Sequence, residues 1–255
     1  MSAEHRLDAA ATARPARPAV DATTVVFRPV RSGNAFEETV ERLLAAIRLG
    51  IVTEGNRLPA ERDLAARLEV SRMTLREAIR ALQIAGYVVC RRGRHGGTFV
   101  VDRLGHQLGE LPRRSAPGWG GLADVLALRE VVEVGAAAFA ARRPVTEAVR
   151  AHLLECLAQC AGSTPVSYRR ADSRLHLAIA EATGSASVVA AVADVRVRLN
   201  DLLDEACFEP ASAERSNAEH ATVVEAIVTG DVEGARAAMA AHLGGTAALL
   251  RGVLG

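Results

Sequence analysis

Apolar residues recur at helical spacing in two separate parts of the chain. In the first part they mark a helix that begins after Asn34 and ends at Gly50. Asn34 is a favourable N-cap, with Glu37 as its capping-box partner. A short helix, a tight turn and a second helix follow between Leu58 and Leu82, and then two β-rich segments meet at a glycine-rich tip. This order of elements predicts a winged helix-turn-helix, a unit suited to DNA.

The second part of the chain is helical throughout by the same criterion. Breaks at proline and glycine separate the helical stretches, and no strand pattern intervenes. The predicted helices cover residues 122–142, 145–161, 165–183, 186–208, 212–229 and 231–253. The fold class is therefore mainly α: an N-terminal winged helix-turn-helix with a small β-hairpin wing, and a C-terminal all-α helical bundle.

The pattern divides the chain into four segments. Residues 1–31 lack periodicity and are rich in Ala, Arg, Pro and Thr, which predicts a disordered arm. Residues 32–101 are predicted to form the winged helix-turn-helix domain. Residues 102–121 contain two prolines and five glycines and are predicted to be a linker. Residues 122–255 form the helical domain.

Composition and charge support a two-domain protein with one basic domain. The 255 residues are 49% hydrophobic, enough for two ordinary cores. Arg57 to Arg94 contain nine arginines and four acidic residues, whereas Leu122 to the end contain twelve arginines and seventeen acidic residues. The basic excess favours DNA binding by the first domain. There is no long apolar run, signal core or disulfide framework, so a cytoplasmic location is expected.

Three arginines share one face of the second helix of the motif. At 100° per residue, Arg72, Arg76 and Arg80 fall within an arc of about 80°, beside the apolar core face. Ser71 is a good N-cap and puts Arg72 and Thr74 in the first turn, where a recognition helix reaches base edges. Arginine can bind O6 and N7 of guanine together. These residues are therefore predicted to read DNA.

The predicted DNA contacts extend to both sides of this helix. Arg62, on the preceding helix, is positioned to contact phosphate. Arg94, His95 and Gly96 form the hairpin tip, which suits phosphate or the minor groove. The alternative, that the arginines form only a solvated helix face, is weakened because the hairpin follows the helix directly.

The segment from Phe36 to Val101 resembles the DNA-binding domain of the GntR family of bacterial transcription regulators. The matching motifs include L-P, E-R, V-S-R and the wing G-G-T-F-V. The resemblance implies operator contacts by the residues Arg62, Arg72, Thr74 and Arg76.

Two positions depart from the family pattern. Ala60 occurs where a serine helix cap is usual, so that helix start lacks a side-chain oxygen. Glu69 occurs where the turn usually has glycine, so a non-glycine residue is expected at positive φ. Both departures concern local stability more than DNA binding.

Four residues of the helical domain have metal-ligand chemistry. Asp172 and His176 are four residues apart and project from one helix face. His220 and His242 lie on the fifth and sixth predicted helices of the bundle. Three imidazoles and a carboxylate can bind a divalent transition metal and leave positions for another ligand. Spacing alone leaves this open, because a single histidine is more often a core or surface residue.

The helical domain is similar to the FCD-type effector domain of the FadR subgroup, in its metal-binding branch. The pattern D-x-x-x-H, E-H and H-L occurs here as D-S-R-L-H, E-H and H-L. The resemblance implies one divalent ion per chain, with zinc or nickel favoured because imidazole is borderline-soft. The implied ligands are Asp172, His176, His220 and His242. Arg129 would face a small carboxylate effector, and Asn200 would also face the cavity.

Together these resemblances imply a homodimeric repressor that binds double-stranded operator DNA and is not an enzyme. Residues 122–255 would bind the organic acid and form the dimer. The alternative is a metal-dependent hydrolase fused to a DNA-binding domain, because a metal with three histidines and one aspartate could activate water. Against that alternative, no second carboxylate is placed as an evident general base.

Overall fold

The structure is a computed structural model. It describes residues 23, 26–27, 34–94, 96–101, 121–165, 167–203 and 210–254. His95 and most of the predicted arm and linker lie outside these residues. The boundaries of the four predicted segments therefore stay predictions.

The N-terminal domain is a helix-turn-helix followed by a two-stranded wing. Its elements are α1 (Ala35–Arg48), α2 (Glu61–Leu68), α3 (Arg72–Ile84), β1 (Val88–Arg91) and β2 (Gly97–Val100). The strands are antiparallel, and Val88 pairs with Val100 at the open end of the hairpin. The mainly α fold class with a small hairpin is confirmed.

Local chemistry explains where these helices begin. The Asn34 side chain accepts hydrogen bonds from the amides of Phe36 and Glu37, at 3.2 and 3.4 Å. Ser71 Oγ accepts one from the Thr74 amide at 3.0 Å. Both residues therefore cap their helices as predicted.

The two departures from the family pattern also have structural consequences. Ala60 occupies the N-cap of α2 and makes no side-chain cap hydrogen bond. Glu69 ends the same helix in the left-handed conformation, with φ of 53°. A Cβ is disfavoured in that conformation, so α2 is strained at one end and uncapped at the other.

The C-terminal part is a bundle of helices. Its elements are α4 (Leu122–Arg129), a π-helical turn (Glu130–Val134), α5 (Gly135–Ala141), α6 (Glu147–Ala161), α7 (Tyr168–Ala182), α8 (Ala186–Leu203), α9 (Pro210–Thr229) and α10 (Val232–Leu254). The predicted helix over residues 122–142 is thus interrupted by a π turn. Gly184 and Gly230 adopt positive φ and separate helices at the predicted breaks.

The winged domain packs against α7 and α8. Its core is continuous with Leu177 and Ala180 of α7 and with Val189 and Val192 of α8. Two ion pairs cross the same contact: Arg48 with Asp201, and Glu54 with Arg170. The two domains therefore meet through the helices on one side of the bundle.

The predicted disordered arm differs from the structure at two positions. Val26 and Phe27 are 3% and 1% exposed and belong to the core of the winged domain. Their apolar side chains are buried against that domain, and this burial favours order there. Among the described residues, no helix combines the length and apolar character needed to cross a membrane.

Candidate functional site

The predicted DNA-reading arginines are exposed. Arg72 and Arg76 are exposed along α3, and Arg62 is exposed on α2. Arg76 Nε donates to Glu61 Oε2 at 2.9 Å, and Arg62 Nε donates to Asp63 Oδ1 at 3.3 Å. Each of these two predicted DNA-contacting arginines thus has a carboxylate partner next to it.

Other predicted contacts surround this helix start. Thr74 is partly buried, with its hydroxyl 2.8 Å from Ser71 Oγ. Met73, beside Arg72, is 71% exposed, and an apolar side chain at this place can contact a thymine methyl group. Sequence reasoning did not single out Met73, although its exposure follows from its position opposite the core face.

At the wing, Arg94 is exposed and Gly96 partly exposed, as a DNA-contacting tip requires. Arg91 stacks over the Phe99 ring, with 4.7 Å from its guanidinium carbon to the ring centre. This cation–π contact joins the two strands below the tip. His95 cannot be assessed, because it lies outside the described residues.

The four predicted metal ligands come together inside the bundle. One ligand atom from each of Asp172, His176, His220 and His242 lies within 4.8 Å of every other. His220 Nε2 is 3.2 Å from His242 Nε2 and 3.2 Å from Asp172 Oδ1, and His176 Nε2 is 3.7 Å from Asp172 Oδ1. The three histidines are buried. Helices α7, α9 and α10 thus bring one carboxylate and three imidazoles to one point.

Two further carboxylates hold the outer nitrogens of two histidines. Glu133 Oε2 contacts His176 Nδ1, and Glu219 Oε2 lies 3.0 Å from His242 Nδ1. A carboxylate that accepts a hydrogen bond from Nδ1–H leaves the lone pair on Nε2, which faces the cluster. This arrangement is typical of histidines that coordinate a metal.

Buried arginines lie next to the cluster. Arg196 Nη2 contacts Asp172 Oδ2, and Arg129 Nε donates to Glu133 Oε1 at 3.2 Å. Asn200 Nδ2 donates to Ser173 Oγ at 3.1 Å. The two residues predicted to face an effector, Arg129 and Asn200, are therefore in the interior, on helices that line the cluster.

Burial and neighbouring charges favour the metal-binding protonation states of Asp172, His176 and His242. Burial opposes the charge of Asp172, but Arg196, with help from His220, outweighs it and holds the Asp172 pKa well below its usual range. Burial lowers the pKa of His242 to about 2, and burial also lowers the pKa of His176. A carboxylate that is ionised and imidazoles that are neutral are the forms that coordinate a metal.

The donor set fits a divalent transition metal. With Nδ1–H of His242 committed to Glu219, its Nε2 lone pair faces His220 Nε2 at 3.2 Å. Two ring nitrogens this close repel each other unless a proton or a cation lies between them. His176 Nε2 has no hydrogen-bond partner among the described residues. These nitrogens, together with the Asp172 carboxylate, would hold the ion.

Sequence reasoning missed Glu133, Glu219 and Arg196. Glu219 precedes His220 and carries a weak signal, because a neighbouring carboxylate often supports a metal ligand. Glu133 and Arg196 carry none, since each resembles an ordinary polar residue on a helix. Only the tertiary structure reveals that both are buried.

Comparison with known proteins assigns both parts of the chain. Residues 36–100 match the model of bacterial regulatory proteins of the gntR family, and residues 124–245 match the FCD domain model. The Uxu operon transcriptional regulator of Escherichia coli (strain K12) is 31% identical over 202 residues, which are 74% of this chain and 76% of that protein. The chain belongs to the GntR family.

A second relative and a solved structure are also similar over most of the chain. The E. coli protein named "Putative L-lactate dehydrogenase operon regulatory protein" is 32% identical, over 81% of this chain and 83% of its own length. Among solved structures, E. coli McbR/YncC is 20% identical with a TM-score of 0.48, covering 87% of this chain and 99% of that one.

The chain is thus a DNA-binding transcription regulator with an FCD effector domain. Its domains and its named relatives are those of regulators and not of enzymes. The hydrolase alternative is therefore not supported.

Proposed function

We propose that this GntR-family protein is a homodimeric repressor whose affinity for operator DNA is controlled by a small organic acid bound at a metal centre in the FCD domain. The observation that carries the proposal is the buried convergence of Asp172 with three histidines. Zinc or nickel is favoured over magnesium, because the nitrogen ligands are borderline-soft. The ion would supply coordination positions for a carboxylate.

Unsatisfied buried donors beside the cluster suit an acidic ligand. Among the described residues, Arg129 Nη1 and Arg196 Nη1 have no hydrogen-bond partner. A buried donor without a partner costs free energy. An organic acid could accept from these guanidinium groups, and arginine binds carboxylates strongly because the hydrogen bonds are charge-assisted.

The charge balance of the interior supports the same conclusion. Arg129 and Arg196 balance Asp172 and Glu133, and histidines coordinate a metal only in their neutral form. A divalent cation added to this neutral set leaves an excess of two positive charges in a buried site. An anion would offset that excess, since an uncompensated buried charge is costly.

The DNA side of the proposal rests on the exposed start of α3. Arg72, Thr74 and Arg76 would reach base edges, while Arg62, Arg94 and Gly96 would contact the backbone or the minor groove. One recognition helix reads only a few base pairs, so two copies on a palindromic operator are needed for specificity. A sedimentation measurement that shows a monomer at micromolar concentration, free and on DNA, would contradict the dimer.

The test combines metal content, acid binding and operator binding. Organic acids are first screened by thermal shift on the zinc- or nickel-loaded protein, and the best one is titrated by calorimetry. Operator affinity is then measured by fluorescence anisotropy with and without that acid. We expect about one ion per chain, acid binding only with metal present, and weaker operator binding when acid is bound.

A pair of histidine variants sharpens this test. His220→Ala should lower metal content and abolish the acid response, and it should leave the winged domain folded because no ligand comes from residues 36–101. The control is His152→Ala, on α6, whose side chain is 39% exposed and pairs with Glu181 outside the cluster. It should keep metal and acid response. Unchanged acid affinity in His220→Ala would refute the metal as anchor of the effector.

A further inference from the structure

The π-helical turn at Glu130–Val134 lies directly beside the metal cluster. Arg129 precedes this turn and Glu133 lies within it. Both side chains are buried, with 2% of Arg129 and 1% of Glu133 exposed. An isolated π turn inside an α-helix often occurs at a functional site. Here it belongs to the first helix of the FCD domain, which contributes no predicted metal ligand.

Glu133 joins two residues that the proposed function assigns to different tasks. One carboxylate oxygen, Oε1, accepts from Arg129 Nε at 3.2 Å. The other, Oε2, contacts Nδ1 of His176. The same buried group therefore contacts a predicted effector residue and a predicted metal ligand.

The chemistry of the carboxylate determines which nitrogen of His176 carries the proton. An ionised carboxylate only accepts hydrogen bonds, and a neutral imidazole has one N–H. Glu133 Oε2 touches His176 Nδ1 without hydrogen-bond geometry. An ionised carboxylate against Nδ1 favours the tautomer that carries the proton on Nδ1 and the lone pair on Nε2. That lone pair faces Asp172, with 3.7 Å between Nε2 and Oδ1.

We propose that Glu133 is a positioning residue: it fixes the tautomer and the ring orientation of His176 for metal binding and joins this ligand to Arg129. The inference rests on the proposed metal centre. It implies that an acid bound by Arg129 changes the charge felt by Glu133 and, through it, the donor strength of His176. Metal and acid would then bind cooperatively through one shared carboxylate.

Glu219 provides an internal comparison. It makes the corresponding contact with Nδ1 of His242, but its side chain is 27% exposed, and Arg215 Nε lies 3.6 Å from its Oε1. A glutamine at 219 could rotate its carbonyl oxygen toward His242 and expose its amide to water. A glutamine at 133 could not satisfy both neighbours, because its NH₂ group would face either Arg129 or His176, and both are donors.

The first experiment measures metal affinity in two matched variants. Zinc affinity is determined by chelator competition for the wild type, Glu133→Gln and Glu219→Gln, with circular dichroism to check the fold. We expect Glu133→Gln to lose about 10- to 100-fold in affinity and Glu219→Gln to lose less. Equal losses in the two variants, or none in Glu133→Gln, would overturn the proposal.

The second experiment reads the tautomer directly and needs no metal. ¹⁵N shifts of the histidine side chains in metal-free protein distinguish protonated Nδ1 from protonated Nε2. We expect Nδ1–H at His176 in the wild type and, because Glu133→Gln can still accept through its carbonyl oxygen, loss of this form only in Glu133→Leu. Retention of Nδ1–H in that variant would refute the positioning role.

A further variant separates positioning from folding. If Glu133→Gln is unstable because Arg129 loses its partner, the double variant Arg129→Met with Glu133→Gln removes the unpaired guanidinium. Its metal affinity should stay low, and wild-type affinity would overturn the proposal. If the wild type binds neither zinc nor nickel, the proposed function fails, while the tautomer measurement still tests Glu133.

Discussion

Replacement of Arg196 by methionine should destabilise the metal-free protein strongly. The Arg196 side chain is fully buried, contacts Asp172 Oδ2 and lies 3.3 Å from Ser173 Oγ. Methionine has similar length and flexibility, so it removes the charge without opening a large cavity. Asp172 would then remain in the interior without its guanidinium partner.

The magnitude follows from the environment that remains around Asp172. Removal of one partner of a buried ion pair costs about 3–5 kcal/mol, because the other charge is left uncompensated. The Asp172 side chain is 12% exposed and still faces His220 Nε2 at 3.2 Å. We therefore expect the lower end, about 3 kcal/mol, which corresponds to about 6–12 °C in Tm for a chain of this size.

The assay is urea denaturation of metal-free protein in the presence of a chelator. The control is Arg236→Met, which removes a surface pair with Glu233 whose side chains are 49% and 80% exposed, and should cost about 0–1 kcal/mol. In zinc-loaded protein the loss from Arg196→Met should be smaller, since a bound cation offsets the Asp172 charge.

A result that matches the surface control would refute this reasoning. If Arg196→Met costs under about 1 kcal/mol in metal-free protein, Asp172 does not depend on the guanidinium for charge compensation. If the loss is the same with and without zinc, the ion does not interact with the Asp172 carboxylate.

Three further predictions concern other parts of the molecule. The pKa of His242 is about 2 in the folded protein and near 6.5 in the unfolded chain, so below about pH 6 unfolding takes up a proton. The free energy of unfolding of the metal-free protein should therefore fall by about 1.4 kcal/mol per pH unit as the pH drops from about 6 to 4.5. In urea titrations, His242→Gln should remove this contribution to the pH dependence. Ala60→Ser supplies the missing cap of α2 and should stabilise the protein by about 0.5–2 kcal/mol, whereas Ser71→Ala removes the cap of α3 and should cost a similar amount. No change in either thermal melting curve would contradict the cap assignment. Arg72→Ala and Arg76→Ala should each cost about 1–3 kcal/mol on the cognate operator but little on random DNA, and equal losses on both in gel-shift titrations would mean phosphate contact only.

The elements that the sequence predicted well have local causes. Helix starts at Asn34 and Ser71 follow from side-chain caps, and the breaks at Gly184 and Gly230 follow from positive φ. The structure also brings together the four predicted metal ligands. Asp172 and His176 were predicted from their spacing on one helix face, and all four ligands from the resemblance to the family pattern. The π turn was not predicted, because E-V-V-E-V contains no local signal for it.

The supporting residues could not be predicted because their roles depend on contacts between distant helices. Glu133 resembles an ordinary polar residue on a helix, yet it is buried between Arg129 and His176. Arg196 has no acidic neighbour on its own helix that explains it, and its partner lies 24 positions away. Val26 and Phe27 lie in a stretch whose composition predicts disorder, yet both side chains are buried in the core of the winged domain.

Helices α7 and α8 carry residues of the candidate site and also contact the DNA-binding domain. On α7, Arg170 contacts Glu54 of the winged domain only two residues before Asp172. On α8, Asp201 pairs with Arg48, five residues after Arg196. A helix moves largely as a unit, so a ligand that shifts Asp172 or Arg196 also shifts an ion pair at the domain contact. Linkage is reciprocal, so if an acid changes operator affinity as proposed, operator DNA must change the affinity for that acid by the same factor.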